Sequence, residues 1–356
     1  MVIYRKYIRP ILFKGDPEKV HNLTILIGRV LAFSRISRIL RNNLVVNDKM
    51  LKNKIMGIEF DNPIGLAAGF DKNAYLIDFM SDLGFGFIEV GSITANPCAG
   101  NLKPRLHRLV KDQGIIVNYG LANEGAAKIR ERLKGKKFRI PVGISIAKTN
   151  NPNIKGEESV NDYLKCFKIM REIGDYVTIN ISCPNVGDGR SFEDSVLLES
   201  LLKKINKIRD QKKILLKISP DINIKDLDKI LKLAEKYKIE GFVVANLSKN
   251  RDGLSNDLNL KYFGGISGKH TREKSNNLIK YIFRKTKGKF VIVGCGGVFN
   301  GADAYEKIKN GASLIQMITG MIFEGPGIIK KINRELLELI EKDGYKNIRE
   351  AIGKNV

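Results

Sequence analysis

The chain has 356 residues, 43% of them hydrophobic and 28% charged, and this supply of apolar side chains for a large core excludes intrinsic disorder. Ten prolines against 34 glycines exclude a collagen-like or proline-rich scaffold, and the length suits two ordinary domains or one large barrel with an extension. Lys and Arg outnumber Asp and Glu by 62 to 38, a formal charge of +24, which admits nucleic acid, an anionic membrane or anionic small ligands and chooses among none of them.

The first forty residues decide the membrane question. Lys14, Asp16, Glu18, Lys19 and Arg29 interrupt the apolar positions, so no run approaches the roughly 18 residues that span a bilayer. Arg29 also cuts the candidate apolar region of a signal peptide, and no small-residue cleavage site follows. Residues 1–41 carry nine Lys and Arg and two acids. From Pro17, the residues Val20, Leu23, Ile27, Val30 and Leu31 recur at helical spacing, with Asp16 placed as N-cap and Pro17 in the first turn. Such a basic amphipathic helix lies on an anionic membrane or packs on the main domain; the pattern admits both. The boundary falls near residues 42–54, giving an extension of residues 1–45 and a main unit of residues 46–356.

Downstream, apolar β-rich runs recur at residues 63–70, 87–94, 142–148, 176–183, 214–219, 241–247, 290–294 and 314–320. Polar stretches of helical period separate them, among them residues 160–172, 195–209, 224–237 and 271–286. Eight β-then-α units, with strands apolar on both faces, predict an α/β protein with a (β/α)8 TIM barrel and an N-terminal helical extension. A doubly wound sheet is the rival. The barrel is favoured because Asp71, Lys72, Ser92, Thr94, Lys148, Asn180, Cys183, Lys217, Asn246 and Thr319 all fall at or near strand ends, which a barrel brings to one face. The four cysteines, Cys98, Cys166, Cys183 and Cys295, show no C-x-x-C spacing. They argue against a disulfide framework or a metal site and for a reduced, intracellular chain.

Residues 294–297, Gly-Cys-Gly-Gly, follow the seventh run and precede a helix near Gly301, a turn of bare backbone N–H groups suited to an anion. Residues 264–268 form a second glycine-rich loop in the neighbouring connection, and together the two point to a phosphate-bearing cofactor. Tight-turn geometry alone is the plainer reading. In Asn180-Ile-Ser-Cys-Pro-Asn185, the two asparagines offer donors and acceptors to a planar ligand. Cys183 suits a general base, with its ordinary pKa near 8.5 lowered by Lys72, Lys148 or Lys217, or a small buried hydrophobe. Lys217 lies within an apolar strand and needs a partner, either an anionic cofactor atom or a neighbouring acid.

Residues 62–72 (Asn-Pro-Ile-Gly-Leu-Ala-Ala-Gly-Phe-Asp-Lys), 84–92, 103–105, 180–185, 264–268, 294–297 and 323–326 resemble, in order along the chain, the motifs of the dihydroorotate dehydrogenases. Residues 16–21 are similar to the N-terminal extension of the class 2, quinone-linked members, and residues 344–353 to their C-terminal end. The resemblance implies oxidation of (S)-dihydroorotate to orotate, a step of de novo pyrimidine synthesis. It implies FMN on the top face of the barrel and a membrane quinone, ubiquinone or menaquinone, entering between the N-terminal helices. It sets FMN against Ala68, Gly69, Lys72, Ser92, Asn180, Lys217, Gly268, Gly297 and Thr319, with Ser145, Ala245 and Ile318 at further flavin-contacting positions. Lys72, Asn180, Asn185 and Asn246 would meet the substrate, Cys183 would be the base, and His21 and Arg108 would line the quinone tunnel.

Several residues depart from the family pattern. Cys183 is typical of the soluble class 1 enzymes, where class 2 members carry serine. Val117 stands at the first substrate asparagine, leaving Asn118 one place late as the candidate. Leu247 replaces a threonine, Ser145 an asparagine, Ala245 a threonine and Ile318 a tyrosine. The expectation is therefore a divergent member held peripherally at the cytoplasmic face of an anionic membrane. The alternatives are a related flavoenzyme acting on another cyclic amide or using a soluble acceptor, and a basic nucleic-acid-binding protein. Against the last, no nucleic-acid module is recognisable and the surplus lysines are spread over many helices.

Overall fold

The computed structural model describes residues 2–182, 192, 194–255 and 258–356, with residues 258 and 259 described by backbone alone. Cys183 and Asn185 therefore lie outside the described residues. A π-helical turn, Tyr4–Ile8, leads into α1 (Arg9–Lys14), α2 (Pro17–Leu31) and α3 (Arg35–Leu44). The start of α2 follows from local chemistry: the Asp16 carboxylate accepts the Lys19 N–H at 2.8 Å and Pro17 occupies the first turn.

A short hairpin, β1 (Asn53–Ile55) and β2 (Ile58–Phe60), precedes the barrel strands β3 (Ile64–Leu66) and β4 (Phe87–Ile93). After β5 (Leu106–Leu109) and β6 (Gly114–Val117) come β7 (Val142–Ile146), β8 (Tyr176–Asn180), β9 (Lys213–Ile218) and β10 (Gly241–Val244). Then follow β11 (Gly265–Gly268), β12 (Val291–Cys295) and β13 (Leu314–Met317). The closed parallel barrel runs β3-β4-β7-β8-β9-β10-β12-β13, and β13 pairs back with β3. The molecule is a (β/α)8 TIM barrel, and all eight expected strands form. Helices Gly156–Met170, Ser195–Asn206, Ile224–Lys236 and Arg272–Thr286 occupy the expected helical stretches. Both faces of the barrel strands are buried, as in all seven residues of β4, which is why these strands read as unbroken apolar runs.

The strand register sorts the interior into layers drawn from alternate strands. Phe87, Tyr176, Gly241 and Leu314 form the lowest, and Gly65, Gly143, Leu215 and Val293 the next. Above them come Glu89, Thr178, Val243 and Gln316, then Ala67, Ser145, Lys217 and Cys295. The two glycines make room for rings rising from below: a Cβ at Gly65 would sit 2.3 Å from Phe87, and one at Gly143 2.2 Å from Tyr176. The β1–β2 hairpin plugs the bottom, with Phe60 edge-on to Phe87 at 5.4 Å.

Two elements differ from expectation. Residues 264–268 are not simply a loop, since Gly265–Gly268 form β11, the edge of a three-stranded antiparallel sheet ordered β11-β6-β5. Isolated glycines in a strand read as a turn because they leave no side-chain alternation to count. The extension, for its part, both packs and exposes. Gly28 lets α2 close on Leu76 and Phe79, and Ser37 and Arg41 of α3 bond the buried Asp82. Leu23, Leu26, Ile27 and Val30 nevertheless remain exposed, as does Phe33 beyond the helix at 89%. No helix among the described residues is long and apolar enough to cross a membrane.

Candidate active site

A cavity of about 660 Å³ runs from between α1 and α2 to the top of the barrel. Its outer walls come from the extension and its far end from the C-terminal strand ends, the face where barrels of this type carry function. Ala68, Gly69, Lys72, Ser92, Asn180, Lys217, Ala245, Asn246, Gly268, Gly297, Ile318 and Thr319 all line it, and His21 and Arg108 line its outer part.

The floor is polar and connected. Asn180 donates to the Ser92 hydroxyl at 3.0 Å, which pairs with Ser145 at 2.8 Å, and Asn246 donates to the Asn180 side-chain oxygen Oδ1 at 3.1 Å. Ser145 does not line the cavity; it supports Ser92 from beneath. Lys217 is 4% exposed, and its ammonium has no hydrogen-bond or ion-pair acceptor among the described residues. A buried ammonium without a partner is costly, so the site is built for an anionic or strongly accepting ligand atom. The backbone N–H groups of Gly296 and Gly297, bordering the same space, also lack an acceptor among the described residues. Both glycines have positive φ, 111° and 70°, the left-handed region that glycine enters without strain. Ser267 and Thr319 hydroxyls meet at 2.8 Å and line the same cavity.

Toward the extension, Lys72 stands over the Tyr119 ring, 3.7 Å from its centroid. The loop carrying it is held by the Asp71 carboxylate, which accepts the N–H groups of Tyr75 at 2.9 Å and Leu76 at 2.6 Å. Burial, reinforced by repulsion from Arg105, pushes the Lys72 pKa down to about 8. His21 packs edge-on to Phe70 at 4.9 Å, and burial with the nearby Lys72 pushes its pKa down to about 3, so it is neutral at physiological pH. Arg105 grips Glu18 of α2 through bonds of 3.0 and 2.8 Å. Arg108 donates to the Gly15 carbonyl at 2.7 Å and the Phe13 carbonyl at 3.2 Å, fixing the end of α1. Its role in the cavity wall is thus to hold the extension in place.

Asn118 is not brought to the cavity. Ile115, Val117 and Tyr119 line it at the two-residue period of an extended strand, which turns Asn118 the other way. Its side-chain oxygen accepts from Asn101 at 2.8 Å. Lys148 is also turned aside, donating to the Ile154 carbonyl at 3.1 Å. Val117, Tyr119 and Leu247 line the cavity without having been expected as contacts; the alternation around Asn118 was the available signal for the first two.

The model of the dihydroorotate dehydrogenase family matches residues 50–340. The chain belongs to this family. It is 37% identical over 379 residues to a dihydroorotate dehydrogenase (quinone) of Nostoc punctiforme, covering 100% of this chain and 99% of that protein. A protein of the same name from Christiangramia forsetii is 39% identical over 341 residues, covering 94% and 99%. Among solved structures, DHODH of Eimeria tenella in complex with ferulenol superposes with a TM-score of 0.86 at 28% identity, covering 96% of each chain.

Proposed function

We propose that this chain oxidises (S)-dihydroorotate to orotate with FMN as cofactor and passes the electrons to a membrane quinone. The observation that carries this reading is the single cavity joining the polar barrel floor to the apolar helices of the extension. One end suits a planar polar substrate on a flavin, and the other an apolar acceptor.

The family is flavin-dependent, and the floor fits FMN because the Lys217 ammonium and the N–H groups of Gly296 and Gly297, without acceptors among the described residues, supply what its ring and phosphate require. Ala68, Gly69, Ser92, Asn180, Gly268, Gly297 and Thr319 would hold it, with Ser145 acting through Ser92 and with Ala245 and Ile318 as apolar wall. Bound, the cofactor supplies acceptance of two electrons with a hydride and their onward release. Asn246 and Asn185 would orient the substrate ring, Lys72 would meet its negative charge, and Cys183 would take the proton from substrate C5. The extension, residues 1–45, would rest its apolar stripe on an anionic membrane, placing the enzyme peripherally at the cytoplasmic face.

The purified protein is expected to be yellow, to release FMN on denaturation, and to bleach when dihydroorotate is added without oxygen. Colourless protein that takes up no added FMN would sink the reading. Lys72 adds a pH dependence whose sign is fixed: its charge is present below about pH 8 and is lost as the pH rises through that value. The KM for the anionic substrate should therefore climb above pH 8, by about tenfold per unit at the limit. Lys72→Met should show a raised KM with the slope removed, and an unaltered slope would assign the titration elsewhere.

A further inference from the structure

Two buried groups of opposite charge lie in adjacent layers of the barrel, and no step of the reaction uses one of them. Glu89, in the layer beneath Lys217, has zero exposure. Its Oε2 accepts from Thr178 at 2.8 Å and from Gln316 at 3.0 Å, while its Oε1 has no hydrogen-bond partner among the described residues; the Tyr176 hydroxyl, likewise buried without a partner, feels the carboxylate's charge. Lys217 has the complementary deficiency, an ammonium with no acceptor among the described residues. Successive layers are offset by roughly one residue rise, about 3 Å. The Cys295 thiol, beside Lys217 in the upper layer, senses both charges: burial raises its pKa, Lys217 lowers it and Glu89 raises it. An uncompensated buried carboxylate is as costly as an uncompensated ammonium, and together they relieve each other.

We propose that Glu89 is the counter-charge of Lys217, a positioning residue that holds the ammonium beneath the cofactor and makes the floor less favourable to negative charge on the reduced flavin. Tyr176, rising through the gap left by Gly143, closes the pocket from below. The part of this proposal that concerns the flavin rests on the FMN reading; the pairing does not.

Two measurements on the full chain test it. With FMN bound, Glu89→Gln removes a negative charge at nearly constant shape. Its two-electron reduction equilibrium should move about tenfold toward the reduced form, about 30 mV for such a couple. A folded, FMN-loaded Glu89→Gln protein with an unchanged potential would overturn the tuning. Thermal melting without added cofactor reads the pair directly. Lys217→Met should melt well below the parent, and Glu89→Gln introduced on top should recover most of that loss. A double variant no more stable than Lys217→Met would overturn the pairing, and this arm stands even if Glu89→Gln alone fails to fold. Because melting needs no flavin, failure of the FMN reading leaves its outcome interpretable.

Discussion

Replacing Cys183 by alanine is expected to slow dihydroorotate-driven flavin reduction by about 10²–10⁴-fold while FMN stays bound, the range a positioned general base contributes. No Asp or Glu among the described residues lines the cavity, and His21, with its pKa near 3, sits at the outer end against Phe70. Among the described residues Lys72 competes as a base, since its pKa near 8 leaves a neutral fraction. The motif that carries Cys183 begins at Asn180, on the floor, and Ser182 is tied there by its bond to the Lys217 carbonyl at 3.0 Å and by Asn246 at 3.1 Å. Rapid-mixing absorbance of the flavin decides the matter. Full-speed reduction in Cys183→Ala together with a collapse in Lys72→Met would move the base to lysine. Cys183→Ser should retain substantial activity if the pocket is built like those of serine-bearing relatives.

What the sequence made legible follows from which signals are local. The eight strands were readable because burial on both faces writes an apolar run for each, and the polar residues at their ends gave the floor. Asn118 points away from the cavity because its neighbourhood lies on a strand outside the barrel, where alternation and not motif position decides what lines the cavity. The β1–β2 hairpin left no trace because three-residue strands are too short to show a period. Glu89 gives no signal inside its strand run, since its partners Thr178 and Gln316 lie 89 and 227 residues away. Arg108, expected at a quinone tunnel, lines the outer part of the cavity, and its grip on the end of α1 is a tertiary fact that no spacing encodes.

Placing aspartate at Leu26, Val30 and Phe33 together should abolish binding to anionic vesicles and cut reoxidation by vesicle-embedded quinone by more than about a hundredfold, with dihydroorotate-driven flavin reduction intact. These residues lie on one stripe and are 56%, 65% and 89% exposed, so the folded protein loses little by the change. Burying each in lipid is worth roughly 1.5–3 kcal/mol, and the new charges oppose an anionic surface that exposed Lys14, Lys19, Arg35 and Arg38 attract. Point changes are better suited here than deleting residues 1–41. Deletion would strip Glu18 from buried Arg105 and Ser37 from buried Asp82, and would uncover Leu76 and Phe79 where Gly28 now sits. The barrel would then be damaged along with the membrane contact. A short-chain, water-soluble quinone separates the remaining readings: it should reoxidise the triple variant as fast as the parent, because the cavity mouth is untouched. If embedded quinone also reoxidises the triple variant at the parent's rate, the apolar stripe is not a membrane surface and the acceptor arrives through water.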